Sequence, residues 1–101
     1  MTTLDEATQA IRTRLADFAG LNARIAFDFG DGGRLLVDAT TAPPSLDEDS
    51  AEADCTVRLS LDDFGRMVTG GLSPSFAYMT GKLKVAGSMG LAMKVAALLE
   101  D

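Results

Sequence analysis

With 101 residues, 47% of them hydrophobic, the chain is long enough for one domain with a core and too apolar to be disordered. One cysteine excludes an internal disulfide and suits a reducing compartment, and no apolar run approaches the roughly 18 residues that span a bilayer. A net charge of −6 argues against general nucleic-acid binding, which relies on basic surface to neutralise phosphates.

The charge is unevenly spread. Residues 1–63 hold five Arg against thirteen acids, a net of −8, whereas residues 64–99 contain no acid and four bases, Arg66, Lys82, Lys84 and Lys94. The opening "MTTLDEATQAIRTRL" carries acids early and no apolar core of a signal peptide, so a single cytoplasmic domain over 1–101 is expected.

Leu4, Ala7, Ile11, Leu15 and Phe18 recur at spacings of three and four, which predicts a helix with one apolar stripe ending near Gly20. "RIAFDF" alternates, with Ile25, Phe27 and Phe29 on one face. "GDGG" then signals a hairpin turn through Asp31-Gly32, and "RLLVDA" returns with Leu35 and Val37 inward. Residues 40–54 read as a long acidic loop with room for a short irregular strand.

"CTVRLS" alternates again, placing Cys55, Val57 and Leu59 on the covered face. Ser60 is an N-cap, followed by Asp62 and Asp63 in the first turn of a helix holding Phe64, Met67 and Val68 that Gly70-Gly71 stops. Ser73-Pro74 starts a short helix with Phe76 and Met79, and "KLKVA" is a strand with Leu83 and Val85 inward and both lysines outward. Ser88 caps a last helix whose stripe is Leu91, Val95, Leu98 and Leu99, flanked by Met89, Ala92, Met93 and Ala96. This order predicts an α/β fold: about five strands in a mostly antiparallel sheet covered by helices.

The chemistry of catalysis is thin. Without histidine the commonest general base and metal ligand is missing. Cys55 sits mid-strand on the apolar side, so an inert core thiol is the better reading than a nucleophile. "DED" at 47–49 lacks the glycine and distal glutamate of an EF-hand, and Asp62-Asp63 is explained by a helix start. No catalytic residue is assigned, and neither a metal nor a cofactor is expected.

Residues 54–99 carry a specific combination: Asp63-Phe64 at a helix start, Gly71-Leu72-Ser73-Pro74, Phe76, Gly81-Lys82-Leu83-Lys84, Gly87, and Leu91-Ala92-Met93-Lys94. In this order and spacing the stretch resembles the sterol carrier protein 2 (SCP-2) domain family; the front half matches only in layout. The resemblance implies a five-stranded sandwich enclosing an apolar tunnel that binds fatty acids, fatty acyl-CoA or similar lipids without catalysis. The chain ends Leu-Leu-Glu-Asp where many eukaryotic members end Ser-Lys-Leu, it has no tryptophan, and Ser88 stands where asparagine is common. A free-standing bacterial member is therefore expected, with sterol disfavoured as ligand.

Inward parity and family position name Phe27, Leu35, Val37, Val57, Met67, Phe76, Met79, Leu83, Val85, Met89 and Met93 as tunnel lining. An empty tunnel of a few hundred Å3, at ~24 cal/mol per Å3, would cost on the order of 10 kcal/mol, comparable to the ~5–15 kcal/mol stability of a small domain. The empty state must be collapsed, loosened or filled. Unbranched methionines suit such a space, packing it when empty and yielding when it is occupied; methionine also fills irregular cores, and only the resemblance tips the balance. Lys82, Lys84 and Lys94 are candidates for a headgroup carboxylate, a CoA phosphate or transient membrane contact, and equally for an ordinary solvated edge. The alternative function is an accessory subunit presenting a lipid or isoprenoid intermediate to a partner enzyme.

Overall fold

The structure, a computed structural model, describes residues 2–47 and 52–99. Helix α1 (Leu4–Thr13) opens with a capping box: the Thr3 hydroxyl accepts from the Glu6 amide at 3.2 Å while the Glu6 carboxylate accepts from the Thr3 amide at 3.0 Å. Ala7 and Ile11 are its buried residues. The helix expected to run to Gly20 stops at Thr13 and continues as a 3-10 turn over Leu15–Phe18. Three residues per turn bring Phe18 round to full burial. The Arg14 guanidinium donates to the carbonyls of Ala10 and Val68, joining the end of α1 to a distant part of the chain.

Five strands follow, β1 (Arg24–Asp28), β2 (Arg34–Asp38), β3 (Ser45–Asp47), β4 (Cys55–Arg58) and β5 (Lys84–Gly87), arranged in the order β3-β2-β1-β4-β5. Three pairings are antiparallel, as expected; the central one, β1 with β4, is parallel. The turn between β1 and β2 is wider than a two-residue hairpin, a 3-10 turn over Gly30–Gly32 with Gly30 and Gly33 at positive φ. The short strand foreseen inside the acidic loop is β3; the part of that loop at 48–51 lies outside the described residues.

The register lines up side chains in rows across the inner face. Leu35, Phe27, Val57 and Val85 form one row, and Leu46, Val37, Ile25 and Cys55 the next, which meets Gly87 on β5. Helices α1, α2 (Leu61–Val68), α3 (Pro74–Met79) and α4 (Met89–Leu99) complete the core over these rows with Ile11, Phe64, Met67, Ala77, Val95 and Leu99. Phe64 meets Phe27 and Phe29 edge to face, with ring centroids 6.0 and 5.3 Å away.

The outer face has the opposite character. Arg24 pairs with Asp38 and Arg58 with Asp28, each at 3.3 Å. Between these pairs the facing residues Ala26 and Leu36 are buried, which fits long arginine stems lying along apolar surface.

Candidate functional site

The three serine caps read from the sequence all form. Ser60 Oγ accepts from the Asp63 amide at 3.1 Å, Ser73 Oγ from Phe76 at 3.1 Å and Ser88 Oγ from Leu91 at 3.2 Å. They fix where α2, α3 and α4 begin. Gly87, at φ +93, turns the chain sharply from β5 into α4 against the backbone of Asp54, whose carbonyl accepts the Ser88 amide at 3.2 Å. Helix α4 is thereby laid over β4 and β5, with α3 beside it.

Between these elements lies a narrow apolar cleft. Val57 and Val85 form its floor; Met67, Leu83, Pro74 and Tyr78 close one side, and Met89, Ala92, Met93, Val95, Ala96 and Leu99 of α4 form the rest. Its internal volume is about 20 Å3, room for about one water molecule. At ~24 cal/mol per Å3 a void this small costs only about 0.5 kcal/mol.

Among the described residues no carboxylate, amine, guanidinium or thiol reaches the wall, and the Tyr78 phenol is the one titratable group there. Cys55 is buried in the core beside the cleft, and burial, aided by the Asp54 carboxylate, pushes its thiol pKa up. Such a thiol is a poor nucleophile. Among the described residues no group of three His, Cys, Asp or Glu side chains is placed to hold a metal.

Of the expected lining residues, Val57, Met67, Leu83, Val85, Met89 and Met93 come together around the cleft. Phe27, Leu35 and Val37 lie fully buried in the core, on the same face of the sheet but not on the cleft wall. The cleft sits over the β4–β5 end of the sheet, and these three belong to β1 and β2, beneath other helices. Phe76 and Met79 are also off the wall, 56% and 81% exposed. In the six-residue α3 it is Ala77 that faces the core and Tyr78 that faces the cleft.

Pro74, Tyr78, Ala92, Val95, Ala96 and Leu99 complete the wall and were not named as lining from the sequence. The signal available for them is spacing: Pro74 and Tyr78 stand four apart on α3, as Met89, Met93 and Ala96 follow one another at four and three on α4.

Lys82 and Lys84 border a separate open groove across the sheet edge, with Phe29, Arg58 and Ser60. Lys84 stands directly opposite Arg58, whose charge Asp28 balances. Lys94 is exposed on α4 next to Met93. No lysine is ion-paired among the described residues, and no described helix is long and apolar enough to cross a membrane.

The chain is 31% identical over 104 residues to the hydroxysteroid dehydrogenase-like protein 2 of Bos taurus, a match that covers 97% of this chain and 25% of that protein. It is 41% identical over 73 residues to sterol carrier protein 2 of Rattus norvegicus, covering 68% of this chain and 13% of that protein. This chain thus spans a quarter or less of the length of these relatives. Among solved structures, palmitated SCP2L2 of Aedes aegypti superposes with a TM-score of 0.73 over 100% of this chain and 96% of that one; at 19% identity the likeness is one of fold. The model of the SCP-2 sterol transfer family matches residues 4–100, nearly the whole length, and the chain belongs to that family.

Proposed function

We propose that the chain binds one long apolar lipid, a fatty acid, a fatty acyl-CoA or a similar chain, in the cleft between β4–β5 and α3–α4, and transfers it without catalysing a reaction. The observation that carries this reading is the composition of the wall: apolar apart from one phenol, with three methionines where a ligand must push its way in. A tail of about a dozen methylenes gains on the order of 10 kcal/mol on burial at ~0.8 kcal/mol each, before the costs of opening the cleft and ordering the tail are subtracted. Opening requires side chains that change shape cheaply, and Met67, Met89 and Met93 supply them. Phe27, Leu35 and Val37 act at one remove, as the core packing beside the cleft, and Phe76 and Met79, exposed on α3, are further candidates for ligand contact once the cleft opens. Lys82, Lys84 and Lys94 are the candidates for contact with a carboxylate or phosphate headgroup. The mosquito neighbour, described as palmitated, is in keeping with a fatty-acyl ligand.

The test is titration of delipidated chain with a fluorescent fatty acid, with palmitate and palmitoyl-CoA as competitors. Saturable binding that palmitate displaces, with a raised melting temperature, is expected. Neither stabilisation nor displacement would end this reading.

A second reading has one observation in its favour. The bovine relative is four times longer and carries a dehydrogenase-like name, so an SCP-2 segment there accompanies an enzyme. By that analogy this chain presents a lipid or isoprenoid intermediate to a partner enzyme. Pull-down from the native cell separates the two: a presenting subunit retains an enzyme stoichiometrically, and a free carrier does not.

A further inference from the structure

Among the described residues the cleft wall carries one hydroxyl, the phenol of Tyr78, and it has no hydrogen-bond partner there. Tyr78 is the only tyrosine of the chain. It stands on the wall four residues after Pro74 and is 47% exposed, so its ring lies between apolar surface and solvent. A phenylalanine would fill the same apolar space. Packing alone therefore does not call for the hydroxyl.

Among the described residues no cation accompanies it on the wall. Lys94 stands two positions from both Ala92 and Ala96, the middle of the α4 wall, which carries it a little over half a helical turn away from the cleft. Lys84 alternates with the wall residue Val85 along β5 and faces the other side of the sheet, opposite Arg58. Lys82 borders the separate groove with Phe29 and Ser60. A ligand group that comes to rest at Tyr78 thus meets one hydrogen-bond donor and no positive charge. An ionised carboxylate has several lone pairs to satisfy and would lose hydration there without a counter-charge. The carbonyl of an ester or thioester is uncharged, and a single bond from a phenol satisfies it.

We infer that Tyr78 sets the ligand specificity of the cleft: its phenol donates to the carbonyl of an acyl ester or thioester, so the cleft takes acyl chains in esterified form in preference to free fatty acids. On the lipid-carrier reading, on which this rests, the carbonyl stays at α3, the tail runs inward over Val57 and Val85, and whatever group the ester carries remains in solvent. A free fatty acid enters less deeply, because its carboxylate stays in water and holds the nearest methylenes at the surface. Each methylene kept out lowers affinity about fourfold.

The experiment is displacement of the uncharged dye N-phenylnaphthylamine from the full chain by methyl laurate, laurate and dodecane, with wild type and Tyr78→Phe compared. Tyr78→Phe should weaken methyl laurate about fivefold, the worth of one hydrogen bond, and leave dodecane and laurate within about twofold of wild type. With no tryptophan in the chain, the near-ultraviolet band of the one tyrosine reports the phenol. Methyl laurate should shift that band to longer wavelength, as hydrogen-bond donation does, and dodecane should not. An equal loss for dodecane makes the ring a packing element and overturns the inference, as does an ester affinity that Tyr78→Phe leaves unchanged. A loss for laurate as large as that for methyl laurate overturns it too, since the phenol then serves the free acid. If none of the three displaces the dye from wild type, the carrier reading falls and the inference with it. If all three do and Tyr78→Phe treats them alike, the inference alone falls.

Discussion

Val57 and Val85 sit directly opposite each other on β4 and β5, and both side chains form the floor of the cleft. A lipid tail entering the cleft lies on this pair. Val85→Phe puts a ring into a space of about 20 Å3 that must expand to admit ligand. Displacing such a ring costs ~1–3 kcal/mol, about fivefold to about a hundredfold in affinity. Fluorescent fatty-acid titration should record that loss, with a melting temperature little changed because Val85 is only half buried.

Phe64 ties α2 to the sheet through its edge contacts with Phe27 and Phe29. Phe64→Ala should destabilise the fold by ~3–5 kcal/mol, the cost of emptying a fully buried aromatic site. Urea unfolding should show a lower midpoint with an unchanged slope.

Two glycines with nearly the same backbone separate conformation from contact. Gly20 (φ +92) has nothing within 4 Å of an added Cβ, whereas at Gly87 (φ +93) that atom would lie 2.4 Å from the Asp54 carbonyl oxygen. Gly20→Ala should cost only the ~1–2 kcal/mol of left-handed backbone. Gly87→Ala should cost clearly more, because backbone must move, and it should also loosen α4 over the cleft. Paired thermal melts and ligand titrations of the two variants check both statements.

Cys55 should label slowly with a thiol reagent in the folded chain and rapidly once urea unfolds it. Its thiol pKa is raised in the fold by burial first and by the Asp54 carboxylate second. The unfolded chain therefore loses this proton at a lower pH than the folded chain does. The thiol leaves stability unaffected below the ordinary thiol range and subtracts from it as pH rises through that range. Cys55→Val should flatten the alkaline fall in melting temperature.

How far the fold could be read from residues depended on how local each determinant is. The alternations Ile25-Phe27-Phe29 and Leu35-Val37, the serine caps and the Met89–Leu99 helix are written within a few positions and are found where expected. The parallel pairing of β1 with β4 is set by partners far apart in the chain, which no short pattern records. The halt of α1 at Thr13 escapes the periodic stripe because a 3-10 turn carries Phe18 inward almost as a helix would. In the cleft, Met89 and Met93 of α4 were named from the sequence, while Ala92, Val95, Ala96 and Leu99 of the same helix were not. A helix as short as α3 has too few positions for its stripe to say which side is covered, so the larger side chains Phe76 and Met79 drew attention from Tyr78.

The sheet order also dictates which half of the molecule assembles with most local help. Strands β1 and β2 meet across the short Gly30–Gly32 turn, with Asp28 opposite Arg34. The other pairings of the cleft half join distant positions, Ile25 with Cys55 and Cys55 with Gly87. Closing those longer loops costs more entropy and slows their formation. The β1–β2 hairpin is thus the natural early structure in folding, and β5 with α4 the late one. Run in reverse, the same order makes amide protons of β5 and α4 the first in the sheet half to exchange with solvent. On the proposed carrier reading, the segment that parts to admit a ligand is the one that chain connectivity holds least firmly.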